Sequence, residues 1–146
     1  MAPAIVLLSV FFVLRSVGVL GVAVLNNSET PLRFALAVMF LLTASAHWGR
    51  GRADLIGMVP PQFPSPGAIV TITGILEILG ALGLMLPHTA RAAAICLAIL
   101  LAAMFPANLR AARERLPVLG RTAMGAAKRG ALQLLFIAAL LAVAIE

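Results

Sequence analysis

The stretch AIVTITGILEILGALGLML, residues Ala68–Leu86, decides the fold of this chain. It holds nineteen apolar or weakly polar residues, enough for a membrane-spanning helix, with the single carboxylate of Glu77 at its centre. A bare charge in hydrocarbon costs at least about 3 kcal/mol, so Glu77 needs a partner or a proton. Gly74, Gly80 and Gly83 lie in the same stretch, and such small residues predict close packing against neighbouring helices.

The composition of the 146-residue chain excludes an ordinary soluble protein. The chain is 62% hydrophobic and 11% charged, and a soluble domain of this size needs far more polar surface to cover its core. The net charge is +6, but the basic residues lie in loops beside apolar runs, which is typical of a membrane protein and not of nucleic-acid binding. Cys96 stands alone, so one chain offers neither a disulfide nor a dithiol redox centre.

Five apolar runs predict an all-α, polytopic bundle of five transmembrane helices. The runs are Ala4–Leu25, Leu32–Trp48, Ala68–Leu86, Ala92–Leu109 and Ala131–Ile145. If the N-terminus is cytoplasmic, the inner loops hold eight Lys and Arg residues and the outer loops only two. This bias predicts an N-in, C-out orientation in a bacterial cytoplasmic membrane. A signal peptide is the competing interpretation of the first run, but no basic residue precedes it and Arg15 interrupts it.

The loops divide the chain into an N-terminal helix and turn, residues 1–30, and a four-helix core, residues 31–146. Residues 49–67 form a proline-rich loop, in which the prolines are expected to prevent a regular helix and to keep the chain at the membrane surface. Residues 110–130 form a basic cytoplasmic loop. Pro106 predicts a kink in the fourth helix because it cannot donate a hydrogen bond to the carbonyl of Ala102.

Arg15 and Glu77 are the two charged residues expected deep in the membrane. At 1.5 Å per residue from the inner helix ends, Arg15 lies about 16 Å deep and Glu77 about 14 Å deep. Opposite charges at equal depth predict an ion pair, since pairing removes most of the cost of burial. The alternative is that Arg15 binds backbone or reaches the interface, while Glu77 is protonated.

Four further polar residues lie within about one turn of the cytoplasmic helix ends: His47, Asn108, Arg129 and Gln133. Arg129 and Gln133 are four residues apart and share a helix face. Together the four residues predict a polar inner mouth below Glu77. Taken singly, each has an ordinary interpretation: His47 as an interface residue, Asn108 as a helix C-cap, Arg129 as a topology charge and Gln133 as a contact between helices.

Several motifs resemble the DoxX family of small membrane proteins. They are His47-Trp48, MVPPQFPSP at Met58–Pro66, TGILEILGALGLMLP at Thr73–Pro87, MFPAN at Met104–Asn108, and the residues Arg129 and Gln133. The resemblance covers about Pro31–Ile145, so the helix with Arg15 lies outside it, and the family more often has Phe in place of Trp48. It implies a four-helix core, association with sulfur or oxidative-stress redox complexes, and functional positions at His47, Glu77, Asn108, Arg129 and Gln133.

Three functions remain open from the sequence. The first is a non-catalytic membrane subunit or anchor for a redox enzyme that binds a lipid or quinone in a cleft near Glu77, where His47 or Gln133 would bond a polar head group. The second is a proton-coupled transporter or channel that uses Glu77 as a relay. The third is a structural homo-oligomer held by Gly74, Gly80 and Gly83. Catalysis by the chain alone ranks below these, because no cofactor motif, metal site or nucleophile array is visible, and quinone is the one cofactor expected.

Overall fold

The computed structural model describes residues 2–118, 121–122 and 125–145. Met1, Glu146 and four residues of the predicted basic loop, Leu119, Gly120, Ala123 and Met124, lie outside the described residues. The described part forms seven α-helices: α1 (Ala2–Val19), α2 (Glu29–Ser45), α3 (Arg52–Met58), α4 (Pro66–Met85), α5 (Pro87–Ala103), α6 (Phe105–Arg113) and α7 (Ala126–Ile145). A 3-10 helix, Ala23–Leu25, follows α1, and two short strands, β1 (Pro117–Val118) and β2 (Arg121–Thr122), precede α7.

Four helical stretches of the described residues are long and apolar enough to cross a membrane. They are α1, α4, the stretch Pro87–Arg113 that joins α5 and α6, and α7. This arrangement indicates a multi-pass membrane protein. Helix α2 is 17 residues long, which at 1.5 Å per residue is about 25 Å, less than the ~30 Å of a hydrocarbon core.

Helix α2 nevertheless lies at the centre of the bundle. It packs against α1, α4 and α7, while α5 packs against α4 and α7. Leu36, Met39 and Phe40 of α2 are at most 1% exposed, and they join Leu84, Leu97 and other buried side chains in one core. The opposite faces of the outer helices carry exposed apolar residues, among them Phe12, Leu79 and Ile99. Such faces suit contact with lipid, since lipid tails are as apolar as leucine.

The first helix is shorter than predicted. It ends at Val19 instead of Leu25, because the backbone of Gly21 adopts φ +123° and turns the chain back. Glycine is suited to this conformation because it has no Cβ. The following 3-10 helix then lies against α1 so closely that a side chain at Gly18 would collide with the carbonyl of Leu25.

The proline-rich loop contains a regular helix, which corrects the prediction for residues 49–67. Helix α3 occupies Arg52–Met58, before the first proline of the loop. The residue after it, Val59, has extended backbone with ψ 128°, as expected for a residue that precedes proline. The prolines therefore end this helix at Met58, and the seven residues Arg52–Met58 form it.

The fourth apolar run breaks where the proline predicts it. Helix α5 ends at Ala103, and α6 begins at Phe105 with Pro106 in its first turn. Helix α6 then extends to Arg113, so part of the predicted basic loop is helical. Beyond it, β1 and β2 pair antiparallel, with Pro117 opposite Thr122, and α7 begins five residues before the predicted Ala131.

The two ends of the bundle differ in charge. Helix α3 contacts α4 and α6, and α6 contacts α7. These contacts lie at one end of the bundle, which we call the basic end. Its basic residues are Arg50, Arg52, Arg110, Arg113, Arg115, Arg121, Lys128 and Arg129. At the opposite end, where α1 ends and α2 and α5 begin, the basic residues of the described part are Arg15, Arg33 and Arg91.

Candidate functional site

Glu77 lies in the middle of α4 and is 3% exposed. Its carboxyl Oε2 is 2.8 Å from the hydroxyl of Thr43 on α2. Within the described residues, the structure shows no cation paired with this carboxyl. Glu77 therefore joins α4 to α2 by a hydrogen bond to a neutral side chain.

Arg15 does not pair with Glu77. Its guanidinium Nη1 lies 3.5 Å from the carbonyl of Leu25 and 3.3 Å from Oδ1 of Asn26, so it binds the segment that follows α1. Because α1 ends at Val19, Arg15 lies one turn from the end of the helix, beside the segment that it binds. The structure agrees with the alternative interpretation of the sequence, in which Arg15 binds backbone, because its guanidinium lies next to the carbonyl of Leu25.

The three glycines of α4 face other helices of the same chain. A Cβ on Gly74 would lie 2.7 Å from atoms of His47 and Trp48, and one on Gly80 would lie 2.5 Å from Leu97. A Cβ on Gly83 would lie 2.8 Å from the Cβ of Ala93. The cleft expected around Glu77 is therefore filled by side chains of α5 and of the residues that follow α2.

His47 lies just after α2 and is 3% exposed. Its ring Nδ1 is 3.3 Å from the carbonyl of Thr43, and the ring packs on Gly74. The backbone carbonyl of His47 accepts a 2.8 Å hydrogen bond from Arg52, which also donates to Gly67 and Thr71 of α4 at 3.1 and 3.0 Å. His47 thus belongs to the junction of α2, α3 and α4.

Asn108 and Gln133 form a second polar centre, between α6 and α7. The amide of Asn108 donates to Oε1 of Gln133 at 3.2 Å, and Nε2 of Gln133 donates to the carbonyl of Leu101. Leu101 lies in the last turn of α5, where carbonyls lack partners inside the helix. The break before Pro106 creates this free carbonyl, and buried Gln133 satisfies it. Asn108 lies inside α6 and is not a C-cap.

Arg129 lies one turn before Gln133 in the first turns of α7. Its Nη1 atom is buried and has no hydrogen-bond partner within the described residues. A buried donor of a charged group without an acceptor is costly. No hydrogen bond between described residues joins this centre to His47, so the structure divides the predicted polar mouth into two parts.

A groove opens beside the second polar centre. It has a volume of about 320 Å³ and runs between the break of the α5–α6 stretch and α7. We call it the α5–α7 groove, and its lining residues are Ala102, Phe105, Gly130, Gln133, Leu134 and Ile137. Its walls are apolar except for the amide of Gln133, and a Cβ built on Gly130 would meet nothing within 4 Å. Glu77 does not line this groove.

A second cavity, of about 370 Å³, lies at the basic end between α6 and the proline-rich loop. It is lined by Pro60, Pro61, Gln62, Pro106, Leu109, Arg110, Arg113 and Glu114. Arg110 fixes this junction, because its Nη1 donates to the carbonyls of Gly57 and Val59 while its Nε pairs with Glu114 at 2.9 Å. Within the described residues, no cluster of His, Cys, Asp and Glu side chains could hold a metal ion.

Sequence reasoning missed Arg33, whose buried side chain is 5% exposed. Its Nε donates to the carbonyl of Leu84 at 2.9 Å and its Nη2 to Met85 at 3.3 Å, while Nη1 pairs with Glu29 at 3.3 Å. Arg33 therefore caps the C-terminal end of α4, where carbonyls are unpaired and a cation is favoured. The available signal was the i, i+4 spacing of Glu29 and Arg33 at the start of α2.

Searches of curated proteins and of solved structures found no match to this chain. A family model does match, over residues 36–144, which is more than half of the chain. The matched region contains His47, Glu77, Asn108, Arg129 and Gln133, whereas Arg15 precedes it. From the middle of α2 to the end of α7, the chain thus belongs to the family described as Domain of unknown function (DUF8561).

Proposed function

We propose that this protein is a five-span subunit or anchor of the bacterial cytoplasmic membrane that binds a lipophilic small molecule, a lipid or a quinone, in the α5–α7 groove. The observation that carries the proposal is the groove itself. It combines apolar walls with one buried amide, the pattern of a small-molecule site, and its volume lies at the lower end of the ~300–1,000 Å³ range of such sites.

The five-span topology has support from the position of α2. This helix is surrounded by α1, α4 and α7 and runs antiparallel to α4, because Arg33 at its start meets Leu84 near the end of α4. Local thinning of the bilayer can accommodate a helix that is a few ångströms short. The excess of basic residues at the end with α3 and α6 favours a cytoplasmic location for that end, hence N-in and C-out.

A role beside a redox enzyme has support from the DoxX-like motifs, several of which have a structural role in the bundle. The MFPAN motif forms the break that opens the groove, and Gln133 caps the carbonyl that the break exposes. A quinone of the partner enzyme would fit the same apolar walls as a lipid tail. The chain itself would then supply binding and anchoring, without catalysis.

Two other functions have less support. A relay through Glu77 would need a route to the carboxyl, and Glu77 is closed in by Thr43 and by the tight contacts at Gly74 and Gly80. Oligomers held by the glycines of α4 would need exposed glycine faces, whereas these faces contact α5 and the residues after α2.

The proposal is tested by extracting the protein in polymer-bounded native membrane discs and identifying retained molecules by native mass spectrometry. The wild type should retain a lipid or quinone after exchange into detergent. Gly130→Leu should lose it, because the new side chain fills open space in the groove. Ala138→Leu adds the same side chain to an exposed position of α7 and should retain it.

A retained molecule that is unaffected by Gly130→Leu would place the binding elsewhere. A wild-type protein that exchanges into detergent with no bound lipid or quinone would refute the proposal. A quinone in place of a lipid would favour the redox role, and a partner enzyme that co-purifies only with the loaded protein would extend it.

A further inference from the structure

We infer that the α5–α7 groove is a site for an anionic phospholipid, whose phosphate is bound by Arg129 and whose acyl chain lies along the apolar walls. The inference rests on the proposed function of the groove and names the class of molecule that fills it. Three observations support it. They are the position of Arg129, the fact that three carboxylates of the chain already have other partners, and the shape of the groove.

Arg129 and Gln133 are four residues apart on α7, so they share one face of the helix. Gly130 and Gln133 line the groove, and Arg129 directly precedes Gly130, the first α7 residue of the lining, on the side of the basic end. The buried Nη1 of Arg129 has no acceptor in the part of the chain that the structure describes. A guanidinium in this state calls for an oxygen acceptor, and phosphate matches its planar donors best.

Three of the carboxylates in the described part of the chain have other partners and do not supply this acceptor. The chain has five acidic residues, and three of them are engaged elsewhere: Glu29 with Arg33, Glu114 with Arg110, and Glu77 with Thr43. Arg129 also lies in the first turns of α7, where the helix dipole disfavours a cation. An anion at this position would accept hydrogen bonds from the guanidinium and would be favoured by the helix dipole.

The groove suits the rest of a phospholipid. From Gly130 it continues along Leu134 and Ile137 toward the middle of the bundle, one helical turn at a time. A molecule with its anionic group at Arg129 would therefore extend its apolar part inward from the basic end. The basic end also carries exposed Lys128 and Arg113, which would attract an anionic membrane surface.

Comparing the affinities of two lipids with the same acyl chains separates the contribution of the phosphate from that of the tails. Native mass spectrometry titrations in detergent would use phosphatidylglycerol and the matching diacylglycerol, which lacks the phosphate. The wild type should bind phosphatidylglycerol roughly tenfold or more tightly, the effect of one charged hydrogen bond. Arg129→Gln should bring phosphatidylglycerol down to the level of diacylglycerol, and Arg129→Lys should restore part of the preference.

Lys128→Gln is the matched control, since Lys128 is exposed beside Arg129 and carries the same charge. It should leave the preference within a factor of about two. Equal effects of Lys128→Gln and Arg129→Gln would overturn the inference, because they would indicate a diffuse charge effect. Inorganic phosphate should not displace phosphatidylglycerol at equal concentration; if it does, the site takes free phosphate and the lipid assignment is wrong.

The same titrations distinguish the two proposals. Equal binding of both lipids by the wild type, lost in Gly130→Leu, would overturn the role of Arg129 and keep the groove as a lipid site. Absence of binding by either lipid would overturn both. An elution volume by size-exclusion chromatography that matches the wild type shows that a variant is folded.

Discussion

Thr43 Oγ1 lies 2.8 Å from Oε2 of Glu77 on α4 and 3.0 Å from the carbonyl of Phe40 on its own helix, α2, so one hydroxyl makes two hydrogen-bond contacts. A hydroxyl has one hydrogen to donate and can accept others. Both contacts are satisfied together when the Glu77 carboxyl donates its own proton to Thr43 and Thr43 donates to Phe40. The geometry therefore favours a neutral carboxyl, which also avoids a bare charge in the membrane.

This arrangement predicts that Glu77→Gln is tolerated. The amide can donate to Thr43 as the protonated acid does, so the free energy of unfolding should change by less than about 1 kcal/mol. Thermal unfolding in detergent measures the stability. Infrared spectra at neutral pH should show the band of a protonated carboxylic acid in the wild type and lose it in Glu77→Gln. Glu29→Gln, which removes a carboxyl paired with Arg33, should leave that band unchanged. A wild type without the band contradicts the prediction.

Gly80→Ala should destabilise the bundle by about 1–3 kcal/mol, because overpacking a closed contact costs that much. The added Cβ would lie 2.5 Å from Leu97, a side chain that is only 1% exposed. Leu97→Ala should therefore cost less in the Gly80→Ala background than in the wild type, which a double-mutant cycle of unfolding free energies measures. Gly57→Ala, at a helical glycine with open space, is the control and should be neutral. Additive effects at the two positions would contradict close packing of α4 on α5.

Arg33→Gln should lower the free energy of unfolding by about 1.5–3 kcal/mol, the range for hydrogen bonds to charged groups. The substitution leaves the carbonyls of Leu84 and Met85 without their donor. Arg91→Gln is the control, because Arg91 is exposed at the same end of the bundle, and it should change the stability by less than about 0.5 kcal/mol. If the two variants melt alike, the capping of α4 by Arg33 contributes nothing.

Gln133→Leu should cost about 1–3 kcal/mol, because it leaves both the carbonyl of Leu101 and the amide of Asn108 without a partner. Asn108→Leu in the same chain should add little, since its partner is already lost. Unfolding monitored by circular dichroism in detergent gives the coupling between the two substitutions. If the two substitutions lower the free energy of unfolding additively, the amides of Asn108 and Gln133 do not form a hydrogen bond.

The sequence predicts the positions of the helices better than the contacts between their side chains. The apolar run around Glu77 locates α4 to within two residues, and Pro106 locates the break in the fourth run. The predicted site is partly assembled: Asn108 and Gln133 meet and Arg129 lies beside them, while His47 is joined to α3 and α4 instead.

The errors have a common physical cause. Helical spacing tells which residues share a face, but it does not tell where a helix ends. Gly21 ends the first helix early and turns the chain back, which brings Leu25 and Asn26 to Arg15 as hydrogen-bond acceptors. Basic residues in short loops are interpreted as topology charges, yet Arg33, Arg52 and Arg110 all donate to backbone carbonyls of other segments. Such bonds depend on the packing of helices, which one sequence does not reveal.

The contacts between α2 and α4 make these two helices a fixed frame. Hydrogen bonds of Arg33 join the two helices at one end, and those of Arg52 join them at the other. Thr43 and Glu77 form a hydrogen bond between these two points. Sliding α4 along α2 by a single residue, about 1.5 Å, would break all three attachments together. If the groove binds its proposed ligand, we therefore expect α6 and the first turns of α7 to move, while α2 and α4 keep their positions relative to each other.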